Sequence, residues 1–182
     1  MKLKTPLLLG LLWSMASTVR SATLEVDAGR SRIQVDAKAT GHGFTGTLGK
    51  YSAKVTGNGG TLAPASFELT WSFQDLKTAD TDRDAEMVKW LGGGKPGGSF
   101  KFVKSWTDKQ GVTNAQGSLT IHGVSKTVYF PYTVKKDGND VIIDGKVALD
   151  YQNFNLPIVR AMLVMTVDPN LTVDFHIVGK VK

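Results

Sequence analysis

Gly117-Ser118-Leu119-Thr120-Ile121-His122-Gly123-Val124-Ser125-Lys126 leads into Thr127-Val128-Tyr129-Phe130-Pro131-Tyr132-Thr133-Val134. On the near side Gly117, Leu119 and Ile121 alternate with polar residues, and on the far side Val128, Phe130, Tyr132 and Val134 do the same. Such alternation sends successive side chains to opposite faces of a strand. The His122-Gly123 pair between the runs supplies the positive φ angles of a tight hairpin, so the stretch reads as two antiparallel strands with one apolar face.

Moving outward, the same period of two recurs in Ile33, Val35, Ala37 and Ala39, and in Phe67, Leu69, Trp71 and Phe73. It continues in Phe100 and Phe102, in Val147 and Leu149, and in Leu171, Val173, Phe175 and Ile177. Turn chemistry separates the runs at Asn58-Gly59-Gly60, Asp108 to Gly111, Asp137-Gly138 and Asp168-Pro169-Asn170. Many strands joined by short turns predict an all-β antiparallel meander, and closure into a barrel removes its exposed edges. One segment differs. Met87, Trp90 and Leu91 follow helical spacing, and Thr81 with Asp84 resembles a capping box, which predicts a short helix over residues 82–91 ended by Gly92-Gly93-Gly94.

The chain has 182 residues, enough for one domain with a sizeable core. At its start Lys2 and Lys4 precede an apolar run from Pro6 to Trp13 and the small residues Ser14, Ala16 and Ser17, the order of a secretory signal peptide. Residues 1–21 are expected to be that signal, cleaved after Ala16 or Ser21, with one domain over 22–182. The apolar run is too short to anchor the protein in a bilayer. There is no Cys, so neither a disulfide nor acylation of an N-terminal Cys is available. Losing residues 1–21 reduces the formal charge of +6 to +3, which weakens any argument from basicity for a nucleic-acid partner.

Several motifs fail on inspection. Asp80, Asp82 and Asp84 begin like a calcium loop, but Ala85 and Leu91 occupy the positions of its Gly and its Glu. The Gly92–Gly98 stretch carries Lys95, yet Pro96 stands where a phosphate loop needs Ser or Thr, and the helix precedes the glycines. His42, His122 and His176 have no metal-ligand spacing, so no metal is expected. No nucleophile elbow is present, and Asn170-Leu171-Thr172 is a glycosylation triplet only by chance. The strand aromatics form continuous apolar faces, not faces interleaved with Lys or Arg, which favours a core or apolar pocket over nucleic acid.

Taken in order, four blocks resemble the YceI-like family, the polyisoprenoid-binding or lipid-binding YceI domain. They are Gly41-His42-Gly43-Phe44 with Gly46 and Tyr51, Thr78-Ala79-Asp80 with Arg83-Asp84 and Met87, Phe100-Lys101-Phe102, and the hairpin from Gly117 to Lys126. A fifth, Asp150 to Leu156, keeps Phe154 but has Tyr151 for the family's Arg and Asn155 for its Gly. The resemblance implies a lipocalin-like extended antiparallel β-barrel of about eight strands. It implies residence in the periplasm of a Gram-negative bacterium and a long-chain amphiphile inside the barrel: a polyisoprenoid, an isoprenoid quinone or a fatty acyl lipid. Such a protein transports, stores or sequesters its ligand, needs no cofactor and is not an enzyme. Its partners are that lipid and, transiently, a membrane or membrane protein, with monomer and homodimer both open. The competing reading is a stress or interaction module with a solidly packed barrel.

Candidate ligand contacts are Trp71, Phe73, Met87, Trp90, Phe100, Phe102, Leu119, Ile121, Phe130 and Phe154, with Met162 and Met165 as adaptable wall elements. Met87 and Trp90 are placed to cover one end. His42 and Arg83 are the polar candidates, as head-group partners or, preferably, as structural hydrogen-bonding groups engaging Asp84 or a backbone carbonyl.

Overall fold

The computed structural model describes residues 21–58, 64–94, 96–161 and 165–182. The expected signal peptide up to residue 20, the Gly59-Gly60 part of one turn, Lys95 and Met162 lie outside the described residues, as does the side chain of Met165.

The strands are β1 (Ser21–Val26), β2 (Arg32–Ala39), β3 (His42–Leu48), β4 (Tyr51–Asn58), β5 (Pro64–Ser72), β6 (Leu76–Lys77), β7 (Gly97–Thr107), β8 (Thr113–Ile121), β9 (Val124–Asp137), β10 (Asp140–Asp150), β11 (Arg160–Ala161), β12 (Met165–Thr166) and β13 (Asn170–Val181). A helix, α1 (Thr81–Trp90), stands between β6 and β7.

Three pairs of short strands act as bent staves. Along one edge of β13, β1 lies beside Gly179–Val181 and β2 beside Thr172–His176. In the same way β3 follows β2 while β4 follows β1, and β5 and β6 follow β4 and β3 in turn. With β7, β8, β9, β10 and β13 they close an eight-stave antiparallel barrel, and the short β11–β12 hairpin lies in the connection from β10 to β13. Closure leaves no barrel stave without neighbours on both sides.

The β8–β9 hairpin is as expected: Ile121 pairs with Val124, and His122 (φ 51°) and Gly123 (φ 74°) form the two-residue turn. Inward positions of the alternating runs make the main core, including Ile33, Leu69, Phe100, Leu119, Phe130, Val147 and Ile177. Each such side chain contributes about 1.5–3 kcal/mol by leaving water. A smaller cluster of Leu24, Val55 and Val141 packs near the β9–β10 turn.

The helix start differs from the expected capping box. Asp80, not Thr81, is the N-cap, its carboxylate accepting from the Arg83 amide at 3.0 Å. Asp is at least as good a cap as Thr, and it stands one residue earlier. The Asp84 carboxylate reaches past the cap to accept from the Thr78 amide at 2.9 Å and the Thr78 hydroxyl at 2.7 Å.

Near the β9–β10 turn, Arg30 bridges two carboxylates, Nε to Asp27 at 2.8 Å and Nη1 to Asp140 at 2.6 Å. Hydrogen bonds from this guanidinium hold both carboxyls below the usual carboxylate range. A depressed folded pKa gives a contribution that is complete above about pH 4 and is lost as pH falls through the lowered value. Arg30→Ala is therefore expected to lose less melting temperature than wild type between about pH 6 and pH 3. Parallel slopes in thermal melts across that window would refute the coupling.

Candidate functional site

Inside the barrel is a cavity of about 590 Å³. Its wall is built from alternate residues of nearly every stave, because the pleat turns Ile33, Val35 and Ala37, then Phe67, Leu69 and Trp71, then Val173, Phe175 and Ile177 to the same side. Trp71, Phe73, Met87, Trp90, Phe100, Phe102, Leu119, Ile121 and Phe130 all line it, as do His42 and Arg83. The barrel is thus not solidly packed.

Phe154 does not line this cavity. It sits in the 3-10 turn Tyr151–Phe154, 2% exposed, packed into the main core and bordering an outer depression where β9 and β10 part. An aromatic within an apolar block looks the same from sequence whether it faces a lumen or wedges between strands. The turn ends at Asn155 with φ 60°. This is the position of the family's Gly, and Asn is the residue that best tolerates the left-handed conformation after Gly.

Polar groups gather at one end. His42, Asp80, Asp82, Arg83 and Glu86 are the titratable groups on the lining apart from Tyr side chains, and all lie on α1, its N-cap or the start of β3. Arg83 is tied into the fold. Its Nε donates to the Thr78 hydroxyl at 2.8 Å, its Nη2 to the Thr78 carbonyl at 2.7 Å, and its guanidinium lies 4.4 Å from the Phe44 ring centroid. The link to Asp84 is indirect, since the Thr78 hydroxyl receives from Arg83 and donates to Asp84. His42 is exposed beside Phe44, ring centroids 6.4 Å apart.

Next to this end, Trp90 donates its indole N–H to the Pro157 carbonyl at 3.0 Å and meets Tyr151 edge-on at 5.1 Å. The Tyr151 hydroxyl donates to the Val167 carbonyl at 2.8 Å and accepts from the Val159 amide at 3.3 Å. Burial pushes the Tyr151 phenol pKa up, so the hydroxyl stays protonated and able to donate. Helix and loop are joined here as one cover, with Tyr151, Leu156 and Val159 on the cavity wall.

Sequence reasoning missed these three and also Phe44 as lining residues. Phe44 had a signal in the Gly41 to Phe44 block, whereas Tyr151 had only its departure from the family's Arg. Glycines were missed too. An added Cβ at Gly98 would lie 2.2 Å from the Trp71 indole, at Gly117 2.2 Å from the Phe100 ring, and at Gly145 2.3 Å from the Phe175 ring. These positions let three aromatic rings lie flat against the wall, which keeps the lumen open.

Solved structures share the architecture. Burkholderia cenocepacia BcnA aligns with a TM-score of 0.70 at 21% identity, over 85% of this chain and 99% of that one. A polyisoprenoid binding domain from Saccharophagus degradans, described as implicated in plant cell wall breakdown, aligns at 0.64 and 10% identity, over 90% and 100%. The Campylobacter jejuni YCEI protein aligns at 0.54 and 17% identity, over 72% and 82%. No curated protein matches the sequence. The YceI-like domain pattern matches residues 24–179, and the chain belongs to that family.

Proposed function

We propose that this is a binding protein of the Gram-negative periplasm that holds one long-chain amphiphile in its barrel, for transport, storage or sequestration, and performs no chemistry on it. The observation that carries this reading is the cavity's polarity: apolar side chains along the staves, with the charged groups among the described lining residues all at the α1 end. Such a lumen suits a slender chain with a single polar head. At about 590 Å³ it holds roughly twenty methylene-sized groups, taking about 30 Å³ for each. The polyisoprenoid-binding description of the Saccharophagus domain supports an isoprenoid over other chains. The charged pattern at the start of the sequence supports export.

A graded series of isoprenols and fatty alcohols tests the proposal by titration calorimetry. Each added buried methylene is worth about 0.8 kcal/mol, so Kd is expected to fall roughly fourfold per carbon until the lumen is full and then level off. An affinity indifferent to chain length, together with no long-chain lipid in native mass spectra of gently purified protein, would overturn it.

A further inference from the structure

Among the described residues, β9–β10 is one of the seams that hydrogen bonds do not close along their whole length; β5–β7, paired only from Glu68↔Lys101 to Ser72↔Gly97, is another. β9 and β10 pair from Asp137↔Asp140 to Tyr132↔Gly145 and no further. Beyond that point β9 stays paired to β8 as far as Val124, and β10 to β13 as far as Asp150, so each strand keeps its other neighbour. The first residue past the last pair is Pro131, which has no N–H to continue a ladder. The gap forms an outer depression of about 350 Å³ lined by Tyr129, Ala148, Asn153 and Phe154 among others. Val128 and Leu149 line both this depression and the central cavity, so one layer of side chains separates lumen from exterior. Phe154 borders the gap and packs into the main core, held by a turn whose Asp150 carboxylate accepts from the Gln152 amide.

The sheet face beside this seam is aromatic and basic. Trp106 and Tyr129 stack edge-on at 6.3 Å although they are 40% and 62% exposed. A register shift between Phe102 and Lys104 turns Val103 outward as well, 55% exposed. Lys104 on β7 and Tyr129 on β9 flank Gln116 of β8 in register, and Lys126 lines the depression itself. Both lysines are exposed and neither is in an ion pair among the described residues, whereas nearby Lys101 meets Glu68 at 3.5 Å. Amphipathic Trp and Tyr rings with free lysines fit the head-group level of an anionic bilayer.

We propose that the Trp106–Tyr129 face rests on an anionic lipid surface and that the amphiphile passes between bilayer and lumen through the adjacent β9–β10 seam, with Phe154 as its gate. This rests on the cavity being the ligand site. Opening here breaks no β9–β10 ladder bond; it requires the Phe154 side chain to withdraw and Val128 and Leu149 to part, while Tyr151 stays anchored at the start of the turn.

Two measurements test it on the full domain. Flotation with phosphatidylcholine vesicles, with and without phosphatidylglycerol, reads docking independently of the cavity: binding is expected only with the anionic lipid and is lost in Trp106→Ser/Tyr129→Ser. Stopped-flow transfer of an NBD-labelled geranylgeraniol from the same vesicles reads the route. Transfer is expected to be roughly tenfold faster from anionic vesicles, in the range that electrostatic steering supplies, and to lose that gain in the double variant. Phe154→Leu, which keeps the site apolar, should speed loading and release together and leave Kd unchanged. Charge-independent flotation, or binding that survives in the double variant, overturns the docking face and leaves a protein partner for it. Wild-type transfer rates in a folded Phe154→Leu protein overturn the seam. A probe that never enters the wild-type barrel sinks the cavity reading itself, while flotation still reports on the face.

Discussion

Asp84→Ala is expected to lower stability by about 3 kcal/mol, seen as a loss of roughly 6–12 °C in melting temperature for a domain of this size. Asp84 is 8% exposed and its Oδ1 is the acceptor for both the amide and the hydroxyl of Thr78, itself 7% exposed. Removing the carboxylate leaves a buried N–H with no acceptor and frees the hydroxyl that orients Arg83. A hydrogen bond to a charged group is worth about 1.5–3 kcal/mol, and an orphaned buried donor costs a similar amount, though the two do not simply add. Ala79, between Thr78 and the cap, adopts φ 62°, a left-handed conformation that costs a residue with a Cβ about 1–2 kcal/mol. The Thr78–Arg83–Asp84 network holds that bend and so fixes where α1 meets the cavity. Asp84→Asn keeps an acceptor and should recover about half of the loss. If Asp84→Ala melted with wild type, the start of α1 would have to be held by something other than this network.

What sequence shows depends on whether the determining contact is local. Alternation from Val128 to Val134 and the His122-Gly123 turn are local, and they place the hairpin and its inward face correctly. The helix is local too, and its spacing puts Met87 and Trp90 on the cavity, but two good caps side by side, Asp80 and Thr81, make its first residue ambiguous. Position in the barrel is different. Whether Phe154 faces the lumen or borders the gap depends on β9 and β10 parting at Tyr132 and Gly145, a pairing between distant segments. Gly98, Gly117 and Gly145 read as weak points in strands until the opposite rings are known, because the ring that takes the space of each missing Cβ belongs to another strand. The charged α1 end was legible only as His42 and Arg83, since its acidic members read equally well as helix capping.

Ala115→Trp is expected to weaken binding of a long-chain ligand by at least about 100-fold while leaving the barrel folded. Ala115 lies on β8 opposite Phe130, is 2% exposed, and lines the cavity. Phe100 and Phe130 stack at 5.8 Å nearby, so an indole added there has aromatic neighbours and extends into the lumen that Ala115 lines. Displacing on the order of four methylenes of ligand forfeits about 3 kcal/mol, which is the stated loss in affinity. The sign for stability is different, because the indole buries apolar surface in room that is already present, whereas the same change in a filled core would cost about 1–3 kcal/mol by overpacking. Melting temperature should therefore hold or rise as binding fails. Ser118→Trp, on the same strand but outside the lining, provides the control and should bind as wild type. Thermal melts and calorimetry on the two variants separate an occupied lumen from an external site. Undiminished affinity in folded Ala115→Trp would place the ligand outside the barrel and transfer the function to its outer face.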